Sequence, residues 1–148
     1  MPDLQTVARA AIITGASRGI DAGVAERLSR DGPAVVTNYA HGSDQAAALA
    51  EKLAAAGGRA VAVKADIADP AAVSALFDAA ERAFGSVDVL VNNAGVMTVT
   101  PVAEAKDETF DRMVAVNLKG VFNGMREAGR RLRDGGRFIS FSSSVVGL

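Results

Sequence analysis

The sequence contains no cysteine and only one histidine among its 148 residues. The absence of cysteine excludes disulfide bonds, thiolate catalysis and zinc sites built on cysteine. A single histidine, His41, rarely forms a metal site, so no bound metal is expected. The formal net charge is −1 and there is no long run of lysine or arginine, which argues against a nucleic-acid partner.

The sequence also lacks an apolar run long enough to cross a bilayer, so no membrane association is expected. Its N-terminus does not show the pattern of a secretory signal. Hydrophobic residues make up 49% of the chain, which is enough to build a core. We therefore expect a cytoplasmic protein in which residues 1–148 form a single domain.

Strand-like and helix-like patterns alternate along the whole chain. Short apolar runs predict five strands, at residues 9–13, 34–39, 60–63, 87–91 and 137–141. Helical spacing of apolar residues predicts helices between them, the last over residues 107–132. This alternation is typical of α/β proteins, in which helices cover both faces of a parallel sheet. Because no helix follows the fifth strand, we expect the domain to be incomplete at its C-terminus.

A glycine-rich loop over residues 14–20 (TGASRGI) joins the first strand to the first helix. The free N–H groups and partial positive charge of a helix N-terminus favour an anion. Glycine allows the backbone to come close to such an anion. The loop either binds a phosphate or is only a tight turn, and its position at the first strand-to-helix junction favours the phosphate.

Polar side chains follow the other predicted strands. Asn38 and Tyr39 end the second strand, Asp66 follows the third, and the run Asn-Asn-Ala-Gly over residues 92–95 follows the fourth. The carboxyl ends of parallel strands meet at one edge of the sheet, where open α/β proteins bind their ligands. A plainer alternative also holds, since Asn and Asp in turns often bond only the local backbone.

The helix predicted over residues 107–132 is apolar nearly all round between Met113 and Met125. Such a helix is buried on more than one side, which predicts one face on the sheet and another against a second copy of the chain. Asn117 interrupts an apolar stripe of this helix. We therefore expect a buried amide with a hydrogen-bonding partner, for example a neighbouring backbone group.

Taken together, these motifs resemble the classical short-chain dehydrogenase/reductase family. The features that match are the loop Thr14-Gly15-x-x-x-Gly19, Asp66, the run over residues 92–95, Asn117 and the serines before Val145. They extend over essentially the whole chain. The resemblance implies a Rossmann-type, doubly wound parallel sheet with strand order 3-2-1-4-5. It also implies an oligomeric oxidoreductase that interconverts ketone or 3-oxoacyl-type carbonyls and alcohols with NAD(H) or NADP(H).

The resemblance assigns roles to individual residues. Ser144 would hydrogen-bond the substrate carbonyl, with Ser142 as the second candidate, and Asn117 would hold a water that relays protons. Asp66 would accept from the adenine amino group, with Asp69 the weaker candidate because it already precedes Pro70 as a helix cap. The residues that would bind the cofactor are Gly15, Ser17, Arg18, Gly19, Ile20, Asn38, Tyr39, Asp66, Ile67, Asn93, Ala94 and Gly95.

The end of the second strand predicts NADP as the cofactor. NAD-binding proteins place Asp or Glu there to accept from the ribose 2′-OH, but this strand ends in Asn38 and Tyr39. The next carboxylate, Asp44, lies beyond the following loop. Arg18 can pair with a phosphate, although a solvated surface arginine is the alternative.

Two departures from the family pattern stand out. Asp21 replaces the third glycine of the loop, where its carboxylate either stabilises the helix dipole or repels the pyrophosphate. The catalytic Tyr-x-x-x-Lys pair is absent, since the single tyrosine, Tyr39, is followed four positions later by Ser43. We expect a chain truncated before that pair, carrying the cofactor-binding part. The alternatives are a non-catalytic dinucleotide-binding module or relic, and a polypeptide that folds only with another chain.

Overall fold

The fold is a five-stranded parallel sheet between two layers of helices. The computed structural model describes residues 9–16 and 19–142. Its strands are β1 (Ala10–Ile13), β2 (Ala34–Tyr39), β3 (Ala60–Lys64), β4 (Val87–Asn92) and β5 (Leu132–Ser140). Its helices are α1 (Ile20–Arg30), α2 (Ser43–Ala55), α3 (Pro70–Phe84), α4 (Asp107–Val114) and α5 (Val121–Arg131). None of the helices in this described part is both long and apolar enough to span a membrane.

The strand order is β3-β2-β1-β4-β5, and every neighbouring pair is parallel. This confirms the predicted Rossmann-type topology. The chain builds outward from β1 to β3 and then returns to place β4 on the other side of β1. The reversal leaves a crevice at the carboxyl ends of β1 and β4, where such sheets bind their ligands.

Successive residues of β1 point to opposite faces of the sheet and build two separate cores. Ile12 packs into a core with Phe77 of α3. Ile13 packs into a second core with Ala25 of α1 and Leu49 of α2. Because both faces are covered, β1 is apolar throughout, as is usual for a central parallel strand.

The boundaries of α3 agree with the sequence pattern. The Asp69 carboxylate accepts a hydrogen bond from the Ala71 N–H group at 2.9 Å, and Pro70 is the first residue of the helix. Gly85 ends the helix with a φ angle of +82°. These are the N-cap, first-turn and C-terminal residues that a helix favours most.

The helix predicted over residues 107–132 is confirmed, with a local irregularity. Helical turns extend from Asp107 to Arg131, and a π-helical turn over Ala115–Gly120 joins α4 to α5. π-Helical turns are rare and are found frequently at functional sites. This turn contains Asn117, one of the two predicted catalytic residues.

The apolar stripe that Asn117 interrupts is exposed over the first part of this helix. Phe110, Val114 and Asn117 are exposed, so the expectation of a buried Asn117 amide is wrong. The helix approaches the sheet through small residues instead, since a Cβ atom at Gly124 would lie 2.7 Å from Asn92 Oδ1 and 3.3 Å from Leu90 Cδ2, both on β4. Large side chains are excluded from so close a contact, which leaves them on the outer face.

Strand β5 begins earlier than predicted. It starts at Leu132, directly after α5, rather than at residue 137. Its register against β4 shifts between Val87 and Val89, and beyond the shift Asn92 pairs with Ser140. The chain thus passes from α5 into β5 with no intervening loop.

Candidate functional site

A cavity of about 400 Å³ opens at the carboxyl ends of the strands. Seven of the predicted cofactor-binding residues line it: Gly15, Asn38, Asp66, Ile67, Asn93, Ala94 and Gly95. The charged or titratable side chains that join them are Asp21, His41 and Arg112. Gly19, Ile20, Tyr39 and Asn117 are not among the lining residues. The predicted site residues Ser17, Arg18 and Ser144 lie outside the described residues.

The glycine loop packs at Gly15 against the segment that follows β4. Gly15 has a φ angle of +72°, and a Cβ atom there would lie 2.8 Å from Ala94 Cα, so only glycine fits. The neighbouring Thr14 hydroxyl accepts hydrogen bonds from the N–H groups of Asn93 and Ala94 at 3.1 and 3.2 Å. Sequence analysis missed this role of Thr14, although a hydroxyl residue at the end of a strand was a usable signal.

The Asn38 side chain is hydrogen-bonded to the backbone of the glycine loop and of the segment around the end of β3. This side chain is buried. Nδ2 donates to the carbonyl oxygens of Val63 and Ala65 at 3.3 and 3.0 Å, and Oδ1 accepts from the Gly15 N–H group at 3.4 Å. Asn38 therefore links the glycine loop, bound through Oδ1, to the end of β3, bound through Nδ2.

Asp66 is neutralised by a cation within the cavity. Its Oδ1 accepts from the Ala68 N–H group at 3.0 Å, and its Oδ2 accepts from Arg112 Nη1 at 2.9 Å. Partial burial acts to raise the pKa of the Asp66 carboxyl. The hydrogen bonds from Ala68 and Arg112 and the nearby charges of Arg112 and His41 outweigh it, so the pKa is lowered. Arg112, which sequence analysis missed, stands 46 positions away and offered no local signal.

Asp21, the second residue of α1, reaches the same cavity. Its carboxylate accepts hydrogen bonds from the Asn93 side-chain amide and from its own backbone N–H group. Burial raises the pKa of the Asp21 carboxyl, and the two hydrogen bonds offset only part of the increase. Within the described residues, no lysine or arginine forms an ion pair with Asp21.

Asn117 holds the segment that follows β4. Its Oδ1 accepts from the Val96 N–H group at 2.8 Å, and its Nδ2 donates to the Val96 carbonyl oxygen at 2.7 Å. Paired hydrogen bonds of this kind fix Val96 beside Gly95, at the edge of the cavity. The backbone partner expected for this amide is therefore present, and its role in proton relay stays a prediction.

The serine cluster begins where β5 leaves the sheet. Ser142 is described and exposed, whereas Ser143 and Ser144 lie outside the described residues. The Phe141 N–H group donates to the Asn92 carbonyl oxygen at 3.0 Å, which holds the start of the cluster beside the end of β4.

The parallel sheet and the cavity where its strand order reverses define a Rossmann-type α/β protein. A model of the short chain dehydrogenase family matches residues 9–148 of this chain. The chain therefore belongs to the short-chain dehydrogenase family, as its motifs indicated.

Individual relatives are similar over most of the chain. An uncharacterised oxidoreductase of Methylorubrum extorquens is 42% identical over 138 residues, which are 93% of this chain and 56% of the relative. A short-chain dehydrogenase/reductase from Serratia marcescens is 44% identical with a TM-score of 0.87, covering 91% of this chain and 55% of that structure. A short-chain dehydrogenase from Burkholderia cenocepacia, in complex with NADP, is 38% identical with a TM-score of 0.87 and the same coverage. The chain spans about half the length of the curated relatives it matches.

Proposed function

We propose that residues 1–148 form the cofactor-binding domain of an NADP(H)-dependent oxidoreductase that interconverts carbonyl and alcohol groups of small molecules. The observation that carries the proposal is the cavity, because it gathers predicted cofactor-binding residues from the ends of four strands. Family membership supports the oxidoreductase class. When bound, the nicotinamide cofactor supplies or accepts the hydride, and the protein binds and orients it.

The residues present fit a dinucleotide at the glycine loop. Because Gly15 has no Cβ atom, the loop can lie directly against Ala94, and both residues line the cavity at the strand ends. Gly19, at the N-cap of α1, supplies no capping side chain. The N–H groups of Ile20 and Ala22 in the first turn of α1 have no acceptor within the described part of the chain, and groups of this kind can bind a phosphate.

The end of β2 favours NADP over NAD. The Asn38 amide is engaged with the backbone of the loop and of β3. Residues 39–42 carry no carboxylate that could accept from a ribose 2′-OH. We propose that Arg18 pairs with the 2′-phosphate instead, as an arginine suits a phosphate. The complex of the Burkholderia relative with NADP is consistent with this choice.

For the chemical step, we propose that Ser144 hydrogen-bonds the substrate carbonyl and that Asn117 holds a water for proton relay. The 148 residues contain no Tyr-x-x-x-Lys pair. We therefore expect this chain by itself to bind NADP(H) without turning over a substrate.

Titration with NADPH and NADH tests the proposed function through the fluorescence of the reduced nicotinamide. We expect saturable binding of both, with NADPH bound about tenfold more tightly, equivalent to about 1.4 kcal/mol. Arg18→Gln should remove that preference, whereas Arg82→Gln, an exposed arginine on α3, should not. Failure of both nucleotides to bind would contradict the proposed function, and equal affinities would contradict only the choice of NADP.

We also propose that the chain forms a homo-oligomer in the cytoplasm through the helix from Asp107 to Arg131. Large apolar side chains recur about every four residues along it and remain exposed: Phe110, Val114, Leu118, Phe122 and Met125. Side chains at this spacing share one helix face, which would become buried against a second copy.

Leu118→Ser tests this assembly, because Leu118 is 68% exposed and lies within the apolar face. We expect the variant to shift the protein toward the monomer in sedimentation velocity. Val102→Ser, at an exposed apolar residue outside the helix, is the matched control and should leave the distribution unchanged. A monomeric wild-type protein would overturn the assembly proposal.

A further inference from the structure

Asp21 already engages two hydrogen-bond donors in the cavity that could serve an anionic ligand. Its carboxylate accepts from the Asn93 amide and from its own N–H group in the first turn of α1. N–H groups at a helix N-terminus are the donors that bind phosphate oxygens in many proteins. The Asp21 carboxylate therefore competes with a phosphate for these two donors.

No cation of the described residues pairs with this carboxylate. The other charged or titratable side chains that line the cavity are His41 after β2, Asp66 after β3 and Arg112 on α4. Arg112 is engaged with Asp66 at 2.9 Å. Among the described residues Asp21 forms no ion pair, so a phosphate placed against its carboxylate meets a like charge.

We infer that Asp21 is a specificity-determining residue of this cavity: a phosphate-bearing ligand binds with uptake of one proton from solvent by the Asp21 carboxylate. Protonation removes the like charge and gives the carboxyl group an O–H that can donate to a phosphate oxygen. This inference rests on the proposed function, since it concerns how the cavity accepts its dinucleotide.

The surroundings of Asp21 make its carboxyl easier to protonate than an exposed carboxyl. Burial raises the pKa of its carboxyl above the usual value before any ligand is present. A bound phosphate raises it further, because a second anion disfavours the carboxylate. Affinity should therefore fall as pH rises through the interval between the pKa of Asp21 in the free chain and its higher pKa in the complex.

Calorimetric titration with NADP⁺ measures the proton uptake directly. The heat of binding is compared in two buffers of different ionisation enthalpy at about pH 6, which gives the number of protons taken up per NADP⁺ bound. Asp21→Asn keeps the size of the side chain and an acceptor for Asn93 but cannot take up a proton. Asp44→Asn is the matched control, because it removes the same charge from the exposed first turn of α2.

We expect the wild type and Asp44→Asn to take up more protons than Asp21→Asn, by up to about one per ligand. Asp21→Asn should also bind NADP⁺ about tenfold more tightly at about pH 7.5, the ratio that corresponds to one pKa unit. Proton uptake by the ligand's own phosphates is common to all three proteins and cancels.

Equal proton uptake and equal affinity in the wild type and Asp21→Asn would overturn the inference and leave the proposed function standing. Absence of saturable NADP⁺ binding in all three proteins would overturn the proposed function and the inference with it. If circular dichroism shows Asp21→Asn to be unfolded, NAD⁺ titrated into His41→Gln decides, since NAD⁺ carries no phosphate that titrates near neutral pH. Binding without proton uptake in that variant would overturn the inference.

Discussion

Two aspartates face the same cavity, and their surroundings give their carboxylates opposite properties. Asp66 accepts from the Arg112 guanidinium, and its pKa is lowered. Asp21 accepts from the neutral Asn93 amide, and burial raises its pKa. The effect of an acidic residue on an anionic ligand thus depends on whether a neighbouring cation compensates its charge, and the residue type alone does not decide it.

The largest effect is expected from Gly15→Ala, which disturbs the wall of the cavity that both aspartates line. The new Cβ would lie 2.8 Å from Ala94 Cα, at a φ angle of +72°. We expect a loss of about 2–4 kcal/mol in the free energy of unfolding, and of about a hundredfold in NADPH affinity, equivalent to about 2.7 kcal/mol. Urea unfolding and fluorescence titration measure the two losses.

Gly57→Ala separates backbone strain from steric collision in that experiment. Gly57 also has a positive φ angle, +87°, but no heavy atom lies within 4 Å of the position its Cβ would take. We expect a loss of only about 1–2 kcal/mol and unchanged NADPH binding. Equal losses in both variants would contradict the close contact between Gly15 and Ala94.

An intermediate change in NADPH affinity is expected when either of the two cavity carboxylates, Asp21 or Asp66, is removed. Asp21→Gly should tighten NADPH binding about tenfold, because a like charge in the cavity is lost, a change of about 1.4 kcal/mol. Asp66→Asn should weaken binding instead, because it leaves Arg112 without its partner and removes the proposed acceptor for adenine. Fluorescence titration gives both affinities, and changes of the same sign would contradict the difference between the two carboxylates.

The smallest effect, a change in the free energy of unfolding, is expected from Arg112→Gln, which removes the cation paired with Asp66. The lowered pKa means that Asp66 stabilises the fold above the pKa it has in the unfolded chain, and that this contribution is lost as pH falls through its folded-state pKa. Removing Arg112 should raise that pKa toward its usual value. Both side chains are 43% exposed, so the loss should be only about 0.5 kcal/mol near neutral pH.

Urea unfolding of Arg112→Gln at about pH 7 and about pH 3 measures this small effect. The difference from the wild type should be present at the higher pH and should largely disappear at the lower one, where Asp66 is protonated in the variant and in the unfolded chain. Arg82→Gln is the control and should show the same difference from the wild type at both pH values. A pH-independent effect of Arg112→Gln would argue against its ion pair with Asp66.

Much of the fold could be predicted because local signals specify its elements. Asp69, Pro70 and Gly85 mark the two ends of α3 by capping preferences that act over a few residues. The faces of the helix from Asp107 to Arg131 could not be predicted in the same way. Its sequence is apolar nearly all round, so periodicity did not distinguish the small residues that face the sheet from the large ones that remain exposed.

The sequence by itself determined the alternation of strands and helices, the glycine loop at residues 14–20 and membership of the family. Only the tertiary structure decided which side chains share the cavity. The Asn93 amide meets Asp21 across 72 positions of the chain, and Arg112 meets Asp66 across 46. Local preferences act over a few residues, whereas these pairs are brought together by the strand order and by the close approach of the last helix to the sheet.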